Sequence, residues 1–267
     1  MYASASHRIA VVVFAALTGL AHAQSQPAAG SPAAPFEPRP GQQGKDVIWL
    51  PTPQIAVDKM MEVAKVGPAD VVMDLGSGDG RTVITAAKRG ARAMGIEYNP
   101  DMVEYAKRNA EKAGVADRAS FVKADLFETS FAEATVITMF LLTDINLKLR
   151  PKLLDLKPGT RLVSNTFTMG DWEPDERISL QGQAGCDNAY CTVLYWVVPR
   201  KVAGTYAVPQ GEVTLKQEYQ MLSGTLKTGT TTQEIKGRVR GEDVELSAGG
   251  KQYRGRLIGN SLVLRDA

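Results

Sequence analysis

The chain has 267 residues, which is enough for one large α/β domain and a smaller module. Its 31 lysines and arginines nearly balance 29 aspartates and glutamates, so the formal net charge is only +2. That balance gives no support to a nucleic-acid partner, because binding to a phosphate backbone requires a strong basic patch. The two histidines, His7 and His22, both precede residue 24, which excludes a histidine-based triad or a histidine-ligated zinc from the rest of the chain.

The first 23 residues have the composition of a secretory signal peptide. A short basic start precedes an apolar run at residues 9–20, and the small residues Ala21 and Ala23 follow that run. The alternative is an uncleaved membrane anchor, but a membrane span needs about 20 apolar residues, and this run is shorter. We therefore expect cleavage before Gln24 and export to the periplasm or the cell exterior.

Residues 24–45 are predicted to form a disordered linker. They are rich in Pro, Ala, Gly and Gln and contain few large apolar residues, so they have little apolar surface to bury. Regular structure is expected to begin near Asp46.

Cys186 and Cys191 are the only cysteines of the chain. In an oxidising compartment they are able to form a disulfide, and the alternative is that they are two unrelated small core residues. Their spacing does not choose between these states. It is also a weak signal for a metal, because no histidine lies nearby, and no metal is expected.

Apolar segments of strand and helix length alternate between residues 46 and 199. A first helix is expected to begin at Pro53, with Thr52 as its N-cap. This alternation predicts an α/β fold: a Rossmann-like, doubly wound, mostly parallel sheet with helices on both faces. The predicted segments are strands at residues 71–75, 93–97, 119–123, 135–140 and 161–167, helices at 81–89, 100–113 and 143–155, and an antiparallel hairpin at 177–180 and 192–198.

Residues 203–267 show no helical periodicity. Apolar and polar residues alternate there, and a short pattern of apolar residues flanking a glycine recurs around Gly224, Gly237 and Gly255. A glycine inside a strand usually marks a bulge or a sharp bend. We therefore predict a small antiparallel β module that folds as a separate unit and serves as structural support or as a cap on a sheet edge.

A glycine-rich turn, DLGSGDG at residues 74–80, follows the first predicted strand. A dinucleotide-binding fingerprint would have its third glycine at position 81, which is Arg81, and so a dinucleotide-dependent oxidoreductase is disfavoured. The glycines let a ligand approach the backbone closely, and the N–H groups at the start of the next helix favour a carboxylate. Asp74 is placed to hold an ammonium group, directly or through water. The turn therefore suits the zwitterionic end of a ligand that resembles an amino acid.

Two more carboxylates stand at the ends of the next two predicted strands. Glu97, nearly 20 residues beyond the glycine turn, can accept hydrogen bonds from both hydroxyls of a ribose. Asp125 can accept a hydrogen bond from the amino group of an adenine, while Leu126 and Phe127 flank the ring. Three such pieces in order, after three successive strands, indicate an adenosine-containing ligand with an amino-acid end.

These motifs resemble those of class I S-adenosylmethionine-dependent methyltransferases, over residues 49–198. The likeness is greatest to a bacterial group that is similar to the mitochondrial protein-lysine methyltransferases of the adenine nucleotide translocase and the ATP synthase c subunit. It is carried by LPTP at residues 50–53, DLGSGDGR at 74–81, NLKLRPKLL at 146–154 and MGDW at 169–172. The resemblance implies methyl transfer from S-adenosylmethionine to an amine, with a protein lysine as the favoured acceptor.

The resemblance also implies where the site lies. No catalytic residue is assigned, because the sulfonium is already activated and in-line positioning with desolvation can suffice. Candidates for an acceptor channel are Thr138, Phe140 and Trp172, with Phe167 as a further wall. The alternative role of Trp172 and Phe167 is buried aromatic packing. The residues expected to bind S-adenosylmethionine are Thr52, Asp74, Gly76, Ser77, Gly78, Glu97, Tyr98, Asp125, Leu126 and Met139.

The alternative function is a non-catalytic S-adenosylmethionine-binding sensor or scaffold that acts through its C-terminal β module. The predicted export favours this alternative, because S-adenosylmethionine is made in the cytoplasm.

Overall fold

The computed structural model describes residues 1–2, 36–187 and 189–267, and the chain divides into two units after Pro35. The predicted signal peptide, apart from residues 1–2, and residues 24–35 of the predicted linker lie outside the described residues. All helices and strands of the described residues belong to the second unit, Phe36–Ala267. Among those residues, no helix combines the length and the apolar character needed to cross a membrane.

Strands and helices alternate through the first half of this unit. The elements up to residue 197 are α1 (Gln54–Val63), β1 (Val71–Leu75), α2 (Arg81–Lys88), β2 (Arg92–Glu97), α3 (Pro100–Lys112), β3 (Ala119–Lys123), β4 (Val136–Met139), α4 (Thr143–Leu154), β5 (Arg161–Asn165), β6 (Glu176–Ser179) and β7 (Thr192–Val197).

These seven strands form one sheet in the order β3-β2-β1-β4-β5-β7-β6. Strands β1 to β5 are parallel to their neighbours, whereas β7 is antiparallel to both β5 and β6. The central strands are buried on both faces, because α1, α2 and α3 cover one face and α4 covers the other. The strand order reverses between β1 and β4, which opens a crevice at their carboxyl ends.

The second sheet is a meander in which every strand pairs with the next one along the chain. Its order is β14-β13-β12-β11-β10-β9-β8, and all pairs are antiparallel. At Gly224 and Gly255 a Cβ atom would lie 1.9 Å from a carbonyl oxygen of the neighbouring strand, so only glycine fits there. The strands are β8 (Gly204–Val208), β9 (Gly211–Glu218), β10 (Met221–Thr228), β11 (Thr231–Arg240), β12 (Asp243–Ala248), β13 (Lys251–Ile258) and β14 (Ser261–Asp266).

The predicted fold class is confirmed in both parts: a doubly wound, mostly parallel sheet with an antiparallel hairpin, and a C-terminal antiparallel β module. The module also packs against the first sheet. Tyr219 stacks on Trp172 with ring centroids 5.8 Å apart, and the Gln220 side chain donates to the carbonyl of Glu173 over 2.8 Å. These contacts bear directly on the expectation of a separately folding module.

Two local predictions differ from the structure near the start of the domain. Helix α1 begins at Gln54 and has Pro53, in an extended conformation, at its N-cap position. Thr52 is therefore not the N-cap, and its carbonyl instead accepts a hydrogen bond from Arg81 Nη1 over 2.9 Å.

The second difference is in the predicted linker, whose last ten residues, 36–45, are packed on the domain. The Phe36 ring meets that of Tyr105 edge-on, and its carbonyl accepts from Arg108 Nη2 over 3.0 Å. Lys45 forms an ion pair with Asp125. Composition indicates disorder in this segment because it has few apolar residues, whereas a handful of specific contacts holds it in place.

Candidate active site

The glycine turn after β1 has a backbone conformation that residues with a side chain rarely adopt. Gly76, Gly78 and Gly80 have φ values of 74°, 52° and 82°, in the left-handed region that favours glycine. The N–H groups of Gly76 and Ser77 donate to the carbonyl of Ile96, over 2.9 and 3.1 Å. The turn is thus tied to the end of β2 and leads directly into α2.

Asp74 lies in β1 immediately before this turn and is buried. Thr138, in the adjacent strand β4, donates its hydroxyl hydrogen to Asp74 Oδ1 over 2.6 Å. Burial raises the pKa of the Asp74 carboxyl to about 7, the Thr138 hydrogen bond opposes that rise, and the nearby carboxylates of Asp79 and Glu97 add to it. A cation beside Asp74 would remove this penalty.

Glu97 ends β2 and faces the glycine turn. Its Oε2 accepts from the N–H of Gly78 over 3.0 Å, and its Oε1 accepts from the N–H of Asn99 over 2.9 Å. Both bonds come from the backbone, so the carboxylate is fixed in place while each oxygen keeps a lone pair for a further donor.

Ser77 gives independent evidence for a polar ligand in this turn. Its hydroxyl is buried and has no hydrogen-bond partner within the part of the chain that the structure describes. Buried polar atoms in proteins are nearly always hydrogen-bonded, so an unpaired one in a pocket indicates a ligand or a water. S-adenosylmethionine fits: its ammonium would compensate Asp74, and its carboxylate would accept from the Ser77 hydroxyl.

Residues 42–52, which we call the strap, cover the same pocket. The strap folds back on itself, since Gly41 N–H donates to the Trp49 carbonyl over 2.8 Å and Trp49 N–H donates to the Gln42 carbonyl over 2.9 Å. The Trp49 indole rests on the turn: a Cβ atom at Gly78 would lie 2.3 Å from Trp49 Nε1.

Lys45 anchors the strap at the other side of the pocket. Its Nζ lies 2.6 Å from Asp125 Oδ2 and 5.0 Å from the centre of the Tyr98 ring. The hydrogen bonds from Lys45 and from the Phe127 N–H hold the pKa of Asp125 below its usual value. Neither Lys45 nor Trp49 was predicted from the sequence. The only available signal was their position beside the LPTP motif at residues 50–53.

One pocket, at the carboxyl ends of β1, β2 and β4, brings together all the residues predicted to bind the cofactor. Their individual contacts with S-adenosylmethionine remain predictions. The ten predicted residues that are among those lining it are Thr52, Asp74, Gly76, Ser77, Gly78, Glu97, Tyr98, Asp125, Leu126 and Met139.

An apolar cleft of about 120 Å³ adjoins this pocket, and Phe140 lines both. Phe140 stacks on Phe167 with ring centroids 5.7 Å apart, and Tyr190 lies 5.4 Å from Phe140 and 5.9 Å from Phe167. The strap residues Ile48 and Leu50 also belong to both spaces. The crevice therefore has a polar chamber at the glycine turn and an aromatic one beside it.

Residues 74–176 match a family model described as the ANTKMT methyltransferase domain. A protein-lysine N-methyltransferase of Saccharolobus islandicus (strain REY15A) is 50% identical over 138 residues, which are 51% of this chain and 86% of that protein. This chain belongs to the ANTKMT methyltransferase family.

Two further similarities extend the comparison. A solved RNA methyltransferase from Salinibacter ruber, in complex with S-adenosyl-L-homocysteine, shares 48% sequence identity at a TM-score of 0.53, covering 57% of this chain and 96% of that one. An ATP synthase c-subunit lysine N-methyltransferase of Mus musculus is 40% identical over 105 residues, which are 39% of this chain and only 42% of that protein. The chain is an S-adenosylmethionine-dependent methyltransferase, an enzyme rather than a non-catalytic scaffold.

The structure places two candidates for the acceptor channel of this methyltransferase outside both the pocket and the cleft, Trp172 in the buried packing that was its alternative. Thr138 is fully buried and donates to Asp74, so it supports the cofactor pocket from behind. Trp172 is also fully buried, between Trp196 and Tyr219, and reaches neither the pocket nor the cleft. Its environment includes a residue of the β module, which local sequence cannot reveal.

The structure decides the state of the two cysteines of the methyltransferase. Cys186 and Cys191 form a disulfide in the loop between β6 and β7. Tyr190, which was not predicted from the sequence, directly precedes the second cysteine and so enters the aromatic cleft from this loop.

Proposed function

We propose that the methyltransferase transfers methyl groups to the side-chain amine of a protein lysine. The observation that carries this proposal is the aromatic cleft beside the cofactor pocket. Phe140, Phe167 and Tyr190 form an uncharged wall that suits a long alkyl chain, and the cleft leads to the place where the cofactor is expected. The Saccharolobus and mouse relatives, both named as lysine methyltransferases, support the same acceptor.

A lysine must be neutral before it can attack. Its reference pKa is about 10.4, and burial in an apolar channel lowers that value. No histidine occurs after residue 22 to act as a base, so the ammonium proton passes to water. S-adenosylmethionine supplies the activated methyl group: the new N–C bond forms as the C–S bond breaks, and its electron pair leaves on sulfur. The rate should therefore rise with pH through the neutral-to-alkaline range.

The test is to incubate the protein with methyl-labelled S-adenosylmethionine and, in parallel, with proteins and with RNA from its host. Label on a lysine Nε, located by mass spectrometry, is the expected result. Label that appears only in RNA, or only on thiols, phenols or carboxylates, would rule out the lysine assignment. The RNA arm is included because the Salinibacter relative is named as an RNA methyltransferase.

We propose further that the methyltransferase is exported. The support is the signal-peptide composition of residues 1–23 together with the Cys186–Cys191 disulfide, since disulfides persist mainly in oxidising compartments. Protein recovered from its host should then begin at Gln24 and be found in the periplasm or the medium. A soluble cytoplasmic protein that retains Met1 would contradict export.

A further inference from the structure

We propose that Tyr190 is a specificity-determining residue for the acceptor and that the Cys186–Cys191 disulfide positions it. This inference rests on the proposed lysine function. Tyr190 lies beyond residues 74–176, the part of the chain that matches the family model. It therefore belongs to a segment outside that match.

The three rings of the cleft come from three separate segments. Phe140 follows β4, Phe167 follows β5, and Tyr190 precedes β7. Tyr190 meets the Phe140 ring at an interplanar angle of 62° and the Phe167 ring at 36°, so it joins the two phenylalanines into one continuous wall. All three side chains are only partly buried, which leaves ring surface open to a ligand.

The chemistry of this wall suits an alkyl chain that ends in an ammonium, the form in which a lysine arrives before it loses its proton to water. Aromatic faces attract ammonium groups and pack well against methylenes. The other described residues that line the cleft, Val47, Ile48, Leu50 and Leu142, are aliphatic, so none of them can pair with a phosphate or hold a carboxylate. A lysine side chain satisfies both parts of the wall. A nucleobase could also stack on the rings, so the test must distinguish nucleobase binding from alkylammonium binding.

Contacts among the described residues hold the loop that carries Tyr190. Asn165, at the end of β5, donates from its side chain to the Tyr190 carbonyl over 3.1 Å. The N–H of Leu180 donates to the Cys191 carbonyl over 2.9 Å, at the base of the loop. The disulfide closes the loop between Cys186 and Cys191, and Cys191 is fully buried. Breaking the disulfide would free the segment just before Tyr190 to sample other conformations, so the Tyr190 ring would be held less firmly in the wall.

The turn that presents Phe167 is equally constrained. Thr166 has a φ of 69°, which is unfavourable for a β-branched residue. Its N–H donates to the Thr192 carbonyl over 2.6 Å, so the strand that follows Tyr190 holds this conformation. The two sides of the wall are therefore tied to each other through β5 and β7.

The binding test uses a defined probe and does not depend on knowing the acceptor. Nα-acetyl-Nε,Nε,Nε-trimethyllysine amide and its neutral carbon isostere are titrated by NMR into protein saturated with S-adenosyl-L-homocysteine. The cation should bind more tightly than the isostere by a factor on the order of three. Tyr190→Ala should abolish this preference, and Tyr190→Phe should keep it. Adenosine monophosphate binding at the same residues instead would overturn the proposal in favour of nucleobase stacking.

The controls separate positioning from general damage. Tyr190 does not line the cofactor pocket, so Tyr190→Ala should leave the affinity for S-adenosyl-L-homocysteine unchanged. Tyr206→Ala, which removes a tyrosine from strand β8 of the C-terminal module away from the cleft, should change neither measurement. The double variant Cys186→Ser/Cys191→Ser should lose the cation preference and keep the cofactor affinity. If it keeps both, the disulfide does not position Tyr190.

The outcomes distinguish this inference from the proposed function. If host lysines are labelled and Tyr190→Ala neither raises the acceptor KM nor lowers kcat/KM, the lysine function stands and the role of Tyr190 is refuted. If the wild-type protein prefers the cation but labels no lysine, the wall is real and the acceptor is a different alkylamine. If the wild-type protein shows no preference for the cation, the inference is refuted whatever is labelled.

Discussion

Single residues in the cofactor pocket carry negative charge that the surrounding fold leaves uncompensated. Among the described residues, Asp79 is paired with Arg81 over 2.6 Å, but Glu97 is held only by backbone N–H groups and Asp74 only by neutral hydroxyls. The buried Asp74 responds with a raised pKa, which marks the place for a cationic group. The local chemistry is thus complementary to the ammonium end of S-adenosylmethionine.

The first prediction concerns the pH dependence of cofactor binding. Because the pKa of Asp74 is raised to about 7, the carboxyl is protonated below that pH and cannot then attract an ammonium group. Affinity for S-adenosylmethionine, measured by calorimetry, should fall by up to roughly tenfold per pH unit below about pH 7. Asp74→Asn should bind weakly at every pH and lose this dependence. An equally steep dependence in the asparagine variant would show that another group is responsible.

The second prediction assigns the ribose to Glu97. Glu97→Ala should weaken cofactor binding by roughly tenfold to a hundredfold, because charge-assisted bonds to two hydroxyls are lost. The cofactor affinity of Glu97→Gln should lie between those of the wild type and Glu97→Ala, since one acceptor oxygen remains. Glu104→Ala, on the exposed face of α3, is the matched control and should bind as the wild type does. Unchanged affinity in a folded Glu97→Ala protein would mean that the ribose lies elsewhere.

Among the elements, the strap covers the cofactor pocket without regular secondary structure. Residues 42–52 form no helix or strand, and their contacts at the pocket include the Lys45–Asp125 ion pair, the Trp49 indole on Gly78 and the Thr52 carbonyl on Arg81. An exposed ion pair contributes little and is screened by salt. We therefore predict that the strap is the part of the crevice that opens when the cofactor exchanges.

The third prediction tests this with Lys45→Ala. Loss of the ion pair should accelerate dissociation of S-adenosyl-L-homocysteine several-fold, and high salt should accelerate it in the wild type but not in the variant. Trp49 provides the signal for stopped-flow fluorescence, because Trp172 and Trp196 are buried away from the pocket. Lys112→Ala, at the end of α3, is the control. If Lys45→Ala and Lys112→Ala release S-adenosyl-L-homocysteine at the same rate, Lys45 does not anchor the strap.

For the whole molecule, the question is how far the two sheets depend on each other. Tyr219 of the β module belongs to the apolar cluster around Trp172, and Arg238 pairs with the almost fully buried carboxylate of Asp175. Tyr219 also donates its hydroxyl to Asp171 over 3.0 Å, in the segment that follows the aromatic cleft. The module thus covers apolar surface and a buried charge of the first sheet.

The fourth prediction follows from these contacts and replaces the expectation of an independent module. A chain that ends at Pro199 should unfold at lower temperature than the full chain, because Trp172 loses its cover and Asp175 its partner. Tyr219→Ala alone should cost about 1–2 kcal/mol in free energy of unfolding by urea titration. Met221→Ala, at a position that is 56% exposed, is the control. A truncated chain of undiminished stability would restore the independent module.

Local spacing in the sequence was enough to predict the doubly wound sheet and to gather the cofactor residues. Glycines after β1 and carboxylates after β2 and β3 converge because parallel neighbouring strands end at the same edge of a sheet. Asp74, Glu97 and Asp125 could therefore be predicted as cofactor-binding residues from the sequence alone. The antiparallel module could also be predicted, since the alternation of apolar and polar residues and the recurrent glycines are local patterns as well.

What only the tertiary structure decided are contacts between segments far apart in the chain. Lys45 meets Asp125 across 80 positions, Tyr219 covers Trp172, and the disulfide loop brings Tyr190 to Phe140. Such pairings follow from how whole elements pack, and no periodicity within a segment encodes the partner on another. For the same reason Trp172, an aromatic residue in a motif beside the site, belongs to the core that joins the two sheets, whereas the cleft is completed by a tyrosine from a loop.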